Sequence, residues 1–189
     1  MEIIKLLALV LGAALMLSAC AAYDYDVLSY QEGEIRAEIC WTVGEVRMGA
    51  EIHISAPKQA ESGDDGDGMR AESRDVSLTF NYPDSLGGIS VSRVDGKVTA
   101  SLGEVIIDDP EISGWLEIEN FFNIEADVKD TYVTEIDGTK VNYIEAVSDD
   151  DRTYGIYLIP DTGHPRRICG SIGGMETVMD VIWFEASGE

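Results

Sequence analysis

The sequence has few of the residues from which catalytic sites are usually built. Its only histidines are His53 and His164, and it contains no Gly-x-Ser-x-Gly, His-Glu-x-x-His or Walker motif. A catalytic histidine needs a positioned nucleophile and a group that orients it, and neither histidine lies in such a pattern. We therefore predict a protein that is not an enzyme, holds no cofactor and exposes both histidines to solvent.

Basic residues are also scarce, because 13 Lys and Arg face 36 Asp and Glu and the formal net charge is −23. Nucleic-acid binding needs a basic surface that neutralises phosphates, so the composition argues against a nucleic-acid partner. An anionic membrane surface would also repel this chain. Any membrane proximity must therefore come from a tether rather than from charge.

The acidic clusters lack the spacing of metal sites. Asp64, Asp65 and Asp67 do not follow the Asp-x-Asp-x-Asp-Gly pattern of a calcium loop and have no glutamate at its twelfth position. Residues 149–151 form an acidic turn, for which weak cation binding is the minor alternative. No pair of carboxylates is marked as buried for acid–base catalysis. We predict no metal site.

Long apolar runs are absent except between Ile3 and Met16. This run has one charge, Lys5, near its start and is shorter than the roughly 20 residues of a membrane-spanning helix, a layout typical of a secretory signal peptide. It leads into Leu-Ser-Ala-Cys at 17–20, which resembles the bacterial lipobox. The alternative is an ordinary cleaved signal with an incidental cysteine.

The lipobox resemblance implies a division of the N-terminal part of the chain. Residues 1–19 would be a lipoprotein signal peptide, Cys20 the lipidated residue, and 20–32 the lipidated cysteine and its spacer. The acylated Cys20 would then anchor the protein in the cell membrane, facing outside the cytoplasm. The two other cysteines, Cys40 and Cys169, could form a disulfide or remain free thiols, and the sequence leaves both open.

Apolar and polar residues alternate along most of the chain after residue 33, beginning with 35–43 and 46–54. This two-residue period predicts about nine strands, each with one buried face, in consecutive hairpins. Asp-Gly at 95–96 and 137–138 is a strong signal for two-residue hairpin turns. A short apolar run lies at 105–107.

Two segments depart from the strand pattern. Residues 112–126 have apolar residues near a 3.6-residue period and predict one central helix. Residues 58–73 form an acidic, glycine-rich loop. We therefore predict that 33–189 is one mainly β domain, a curved antiparallel sheet or incomplete β-barrel covered by the helix.

Two stretches carry a family resemblance. Residues 82–89, Tyr-Pro-Asp-Ser-Leu-Gly-Gly-Ile, and 157–165, Tyr-Leu-Ile-Pro-Asp-Thr-Gly-His-Pro, resemble steps found in the LolA-like fold of bacterial lipoprotein carriers. That fold is an incomplete β-barrel with an apolar lining and helical lids. The resemblance implies an apolar concavity that binds a lipid or another hydrophobic ligand. A long N-terminal amphipathic helix of the carriers is absent, which argues against a diffusing shuttle.

The large apolar residues at inward positions are the candidate ligand lining. Two interpretations are open: they line a cavity, or they form a packed core. The first predicts a membrane-anchored lipoprotein that binds an apolar ligand without catalysis. The second predicts a module for protein or cell-wall interaction, or a sensor. The candidate residues are Trp41, Met48, Leu78, Phe80, Trp115, Phe122, Ile156 and Trp183.

Overall fold

The computed structural model describes residues 28–43, 45–58, 74–108 and 110–187. The predicted signal peptide, Cys20 and all but the first residue of the acidic loop 58–73 lie outside these ranges. Within them, every helix is too short or too polar to cross a membrane.

The described residues form one unclosed, curved antiparallel sheet of eleven strands, which confirms the mainly β prediction. There are eleven strands rather than about nine, and the run at 105–107 is one of those that were not predicted. The strands are β1 (Glu34–Val43), β2 (Val46–Ile54), β3 (Val76–Tyr82), β4 (Ile89–Val94), β5 (Lys97–Leu102), β6 (Val105–Ile107), β7 (Asp127–Ile136), β8 (Thr139–Val147), β9 (Thr153–Leu158), β10 (Pro165–Ile172) and β11 (Met175–Ser187).

The order of the strands is β6-β5-β4-β3-β2-β1-β11-β10-β9-β8-β7. Strand β1 therefore lies at the centre, between β2 and β11, and β6 and β7 are the two edges. Asp95 and Asp137 have φ values of 47° and 51° and are each followed by a glycine at 77°. Two successive residues of positive φ are typical of the type I′ hairpin turn, as the Asp-Gly pairs predicted.

The predicted helix is a 3₁₀ helix, Pro110–Phe122, and connects β6 to β7. It contacts β3, β4, β5 and β10. Its buried side chains include Ile118 and Phe121, one 3₁₀ turn apart. The predicted covering of the sheet is not seen, since inward-facing residues of β5, β6 and β7 remain exposed among the described residues.

One hydrophobic core lies between the inner face of the sheet and this 3₁₀ helix. Tyr30, in a 3₁₀ turn at Ser29–Gln31, also belongs to it, although it lies inside the predicted spacer. Its hydroxyl donates to the carbonyl oxygen of Phe121 at 3.5 Å, and burial raises its pKa. Arg74, which is buried, donates to the backbone carbonyls of Gln31, Gly33 and Ser55. These contacts fix the chain where it enters the sheet.

Candidate ligand-binding surface

Most of the predicted lining residues lie inside the packed core. Phe80 is central, with its ring centroid 6.0 Å from that of Trp41 and 5.0 Å from that of Trp115. Phe122 stacks on Phe184 at 6.2 Å. These rings contact each other, which favours the packed-core interpretation. The fully buried members of the predicted set are Trp41, Leu78, Phe80, Phe122 and Ile156, and Met48 is half-buried.

Trp183 does not face inward as predicted, because a β-bulge changes the alternation of β11. Ile39 pairs with Val181, but the preceding Glu38 pairs with Trp183, so Ile182 is the extra residue. Trp183 therefore shares the outer face with Glu38 and is 51% exposed. The sequence carried a signal for this, since residues 181–184 are four consecutive apolar residues and cannot all alternate.

The inner face of the sheet stays apolar up to the β6 edge, where it becomes exposed. In one cross-strand row, Leu78 pairs with Val91 and Val91 with Ala100, which pairs with Ile107. Leu78 and Val91 are fully buried, whereas Ile107 is 54% exposed. The exposed fraction of the side chains therefore increases toward the β6 edge, although every residue of the row is apolar.

A neighbouring row shows the same change. Ile89 pairs with Leu102, which pairs with Val105 across the β5–β6 hairpin. Leu102 is 55% and Val105 60% exposed. We call the inward-facing residues Leu102, Val105 and Ile107 the β5–β6 shelf. Trp115 of the 3₁₀ helix, 40% exposed, meets this face at Phe80.

Acidic side chains stand at both ends of β6. Glu104 precedes the strand in the hairpin turn and Asp108 follows it, and both are exposed. Lys97 Nζ lies 3.1 Å from Asp108 Oδ2, but this pair is exposed and contributes little to stability. The shelf is therefore an apolar surface with an acidic rim, suited to an apolar ligand that carries positive charge at its ends.

The shelf was not predicted as a site from the sequence. The apolar run at 105–107 is evident there, but nothing in it indicates a functional role. A run of three apolar residues is unusual in a strand with one buried face, and this was the available signal. Exposure of the run depends on β6 being an edge strand, which is a property of topology rather than of local sequence.

The convex face carries a different pattern, a row of tyrosines. Ring centroids of Tyr132 and Tyr143 lie 4.6 Å apart, and those of Tyr143 and Tyr157 4.9 Å. The row continues to Arg167, which pairs with Tyr157 and donates to Asp180 at 2.6 Å. Cross-strand aromatic contacts of this kind stabilise neighbouring strands, so the row is explained by the stability of β7 to β10.

The two cysteines are free thiols in this structure. Strand β11 lies between their strands, since Cys40 pairs with Asp180 and Cys169 with Val178. Two strand spacings of about 4.8 Å exceed the distance that a disulfide can bridge. Arg47 Nε donates to Cys40 Sγ at 2.8 Å, and burial raises the pKa of Cys169.

The histidines differ in environment. His53 is exposed, as predicted, with Nε2 2.9 Å from a Glu34 carboxylate oxygen. His164 is half-buried rather than exposed, with its ring centroid 5.0 Å from that of Phe184. It lines a pocket of about 120 Å³ with Tyr30 and Glu32, which is below the roughly 300 Å³ of ordinary ligand sites. The described residues contain no cluster of three or more potential metal ligands.

No protein-family model and no curated protein matches this sequence. Solved structures do match. An uncharacterized conserved protein from Thermus thermophilus is 12% identical over 87% of this chain and 85% of that chain, with a TM-score of 0.47. A LolA superfamily protein from Nitrosomonas europaea is 10% identical over 86% of this chain and 93% of that chain, with a TM-score of 0.39.

The second of these is a LolA superfamily protein, the family to which the sequence resemblance pointed. A further match is a chain of the MucA/MucB complex from Pseudomonas aeruginosa, 14% identical over 86% of this chain and 55% of that chain, with a TM-score of 0.44. This chain thus spans about half the length of that one. Similarity at these identities and TM-scores assigns no ligand and no partner to this chain.

Proposed function

We propose that this protein is a membrane-anchored, extracytoplasmic lipoprotein that binds an apolar ligand on the β5–β6 shelf and performs no catalysis. The observation that carries the proposal is the exposure of Leu102, Val105 and Ile107 on the inner face of the sheet, whose central residues are buried. Contiguous apolar surface left uncovered on a soluble domain commonly marks a binding site. The ligand lies on an open surface, since the interior positions predicted as lining are filled by side chains.

Anchoring follows from the lipobox and the charge. The acidic domain does not adhere to an anionic membrane surface, so the acyl chains on Cys20 provide the attachment. Eight residue steps separate Cys20 from Leu28 and span at most about 28 Å when extended. The domain therefore works close to the membrane. Intact mass spectrometry of the membrane-extracted protein tests this, because an unmodified Cys20 would contradict the proposal.

Shelf binding is tested with the neutral fluorophore N-phenyl-1-naphthylamine, which brightens in apolar sites. We expect the double substitution Leu102→Ser/Val105→Ser to weaken binding about tenfold or more, because it removes two apolar contacts. The matched control is Val178→Ser/Ile182→Ser, which removes two similarly exposed apolar residues of β11 that lie outside the shelf. Equal loss in both variants would refute the shelf as the site.

A second candidate function is protein interaction, and the packed interior favours it. Phe80 is fixed between Trp41 and Trp115, so an acyl chain has no enclosed channel beside these rings. A protein segment needs only an open surface. The fluorophore detects an apolar surface of either kind, and native mass spectrometry of the protein from its own membrane distinguishes bound lipid from bound polypeptide.

A further inference from the structure

The two edges of this sheet differ in how they are protected against strand pairing. Natural edge strands carry lysines, bulges or charged residues that prevent pairing with another chain. Strand β7 has all three, with a bulge between Val128 and Asp130 at Lys129 and a further charge at Glu135. It has the ordinary features of an edge that does not pair.

Strand β6 has none of these features. Its residues Val105, Ile106 and Ile107 are apolar and β-branched, and they are 60%, 70% and 54% exposed. Ile106 projects on the outer face, opposite to its neighbours, so both faces of this edge are apolar. Its one protection is its length of three residues. Among the described residues, β5 is its only strand partner.

The free backbone groups of β6 can be located from the hairpin. Leu102 and Val105 flank the two-residue turn and pair directly. Residues that flank such a turn exchange backbone hydrogen bonds, and bonded and non-bonded pairs then alternate. The next pair, Ser101 and Ile106, is therefore non-bonded. The N–H and C=O of Ile106 point away from β5, toward the open edge.

We propose that β6 pairs with an extended segment of a partner protein, which has apolar side chains at alternate positions and Lys or Arg at its ends. The inference rests on the proposed function, because it takes the shelf as the binding surface and names the partner that it accepts. The segment donates to and accepts from the backbone of Ile106. Its apolar side chains cover Val105 and Ile107, and its basic ends meet Glu104 and Asp108.

Charge and hydrogen bonding select this occupant over two others. A second copy of this chain would bring another −23 charge and its own acidic rim to the same edge. A lipid chain would contact the shelf but leave the N–H and C=O of Ile106 unused. A strand with basic ends can form hydrogen bonds with the N–H and C=O of Ile106, cover the apolar shelf and place positive charges beside the acidic rim.

The test uses the fluorescein-labelled peptide Lys-Val-Thr-Val-Thr-Val-Lys with fluorescence anisotropy. The protein variant is Ile106→Pro, which removes the N–H that faces the open edge and no hydrogen bond to β5. The matched control is Val133→Pro on β7. By the same alternation from the turn at 137–138, Val133 also directs its N–H to an open edge. We expect Ile106→Pro to weaken peptide binding about tenfold and Val133→Pro to leave it unchanged.

Two altered peptides make the test independent of how the variants fold. In the first, N-methylation of the three central residues removes their N–H donors and should abolish binding. In the second, exchange of both lysines for glutamates should weaken binding. Equal binding of the methylated peptide, or equal effects of the two prolines, would refute pairing at β6. Equal binding of the glutamate peptide would refute the basic partner.

If wild-type protein binds the fluorophore but no peptide, pairing is refuted and the proposed function stands. If it binds peptide but the shelf variant keeps the fluorophore, the proposed function fails separately.

Discussion

Gly170 of β10 is a position where the 3₁₀ helix packs closely against the sheet. A Cβ atom there would lie 2.8 Å from Cε1 of Phe121 and 3.0 Å from Cδ1 of Tyr154. Carbon atoms at optimal contact are about 3.5–4.0 Å apart, so one ring must move by several tenths of an ångström. Neither ring has free space, because both are buried and pack edge-to-face at 6.3 Å. We therefore predict that Gly170→Ala destabilises the protein.

The magnitude follows from two opposing effects. Overpacking of a filled core costs about 1–3 kcal/mol. Replacement of a strand glycine by alanine gains about 0.4–1 kcal/mol, because the unfolded chain loses conformational freedom. The net loss in the free energy of unfolding is about 1–2 kcal/mol, which corresponds to a fall in Tm of roughly 2–4 °C per kcal/mol for a domain of this size.

The assay is urea unfolding of wild type and Gly170→Ala, with two further variants. Gly114→Ala is the matched control, since its Cβ would meet only Glu117 Oε1 at 3.9 Å, and we expect no loss. Phe121→Leu removes the ring atom nearest to Gly170, so the double variant should be more stable than the sum of the single effects predicts. A neutral or stabilising Gly170→Ala, or additivity in the double variant, would refute the packing argument.

Three further predictions concern burial and charge. Arg74→Ala should lower the free energy of unfolding by about 2–3 kcal/mol in urea titration, because three backbone carbonyls lose a charged donor; a loss below about 0.5 kcal/mol would contradict this. Trp183→Ser should change the free energy of unfolding by less than about 0.5 kcal/mol, because Trp183 is exposed, whereas Trp41→Ala should lower it by about 3–5 kcal/mol, because Trp41 is buried. Similar losses in the two variants would contradict the bulge that turns Trp183 to the outer face. Burial raises the pKa of Glu119 in the folded protein despite its 2.6 Å ion pair with Arg93. The contribution of Glu119 to the free energy of unfolding is therefore fully present below the unfolded pKa of 4.5 and is lost as pH rises through the folded pKa. Glu119→Gln should therefore gain stability relative to wild type as pH rises from the unfolded value through the folded pKa, and a pH-independent difference would argue against this.

Local sequence was sufficient for the strands and turns, because their signals lie within a few residues. The alternation at 35–43 and the Asp-Gly turns at 95–96 and 137–138 depend on neighbours alone, and they are found where predicted. The orientation of Trp183 was not predictable in this way. It depends on a bulge formed against Glu38, far earlier in the chain, and strand pairing is needed to place it.

The exposure of the candidate site was also not predictable from local sequence, but for a different reason. Leu78 and Leu102 occupy equivalent inward positions in alternating segments, and their local sequences give no reason to separate them. Leu78 is fully buried and Leu102 is 55% exposed because one lies near the centre of the sheet and the other beside its edge. An apolar inward pattern therefore predicts which face of a strand is inside, but the position of the strand in the strand order decides whether the core covers that face.

The same position in the strand order decides where an apolar ligand can bind. Strands β6 and β7 are the two edges of the sheet, and the 3₁₀ helix that joins them contacts β3, β4, β5 and β10. The side chains of the helix fill the core over these strands, whereas the three apolar residues of β6 remain exposed among the described residues. We therefore assign binding to the β6 edge of the sheet rather than to its packed interior.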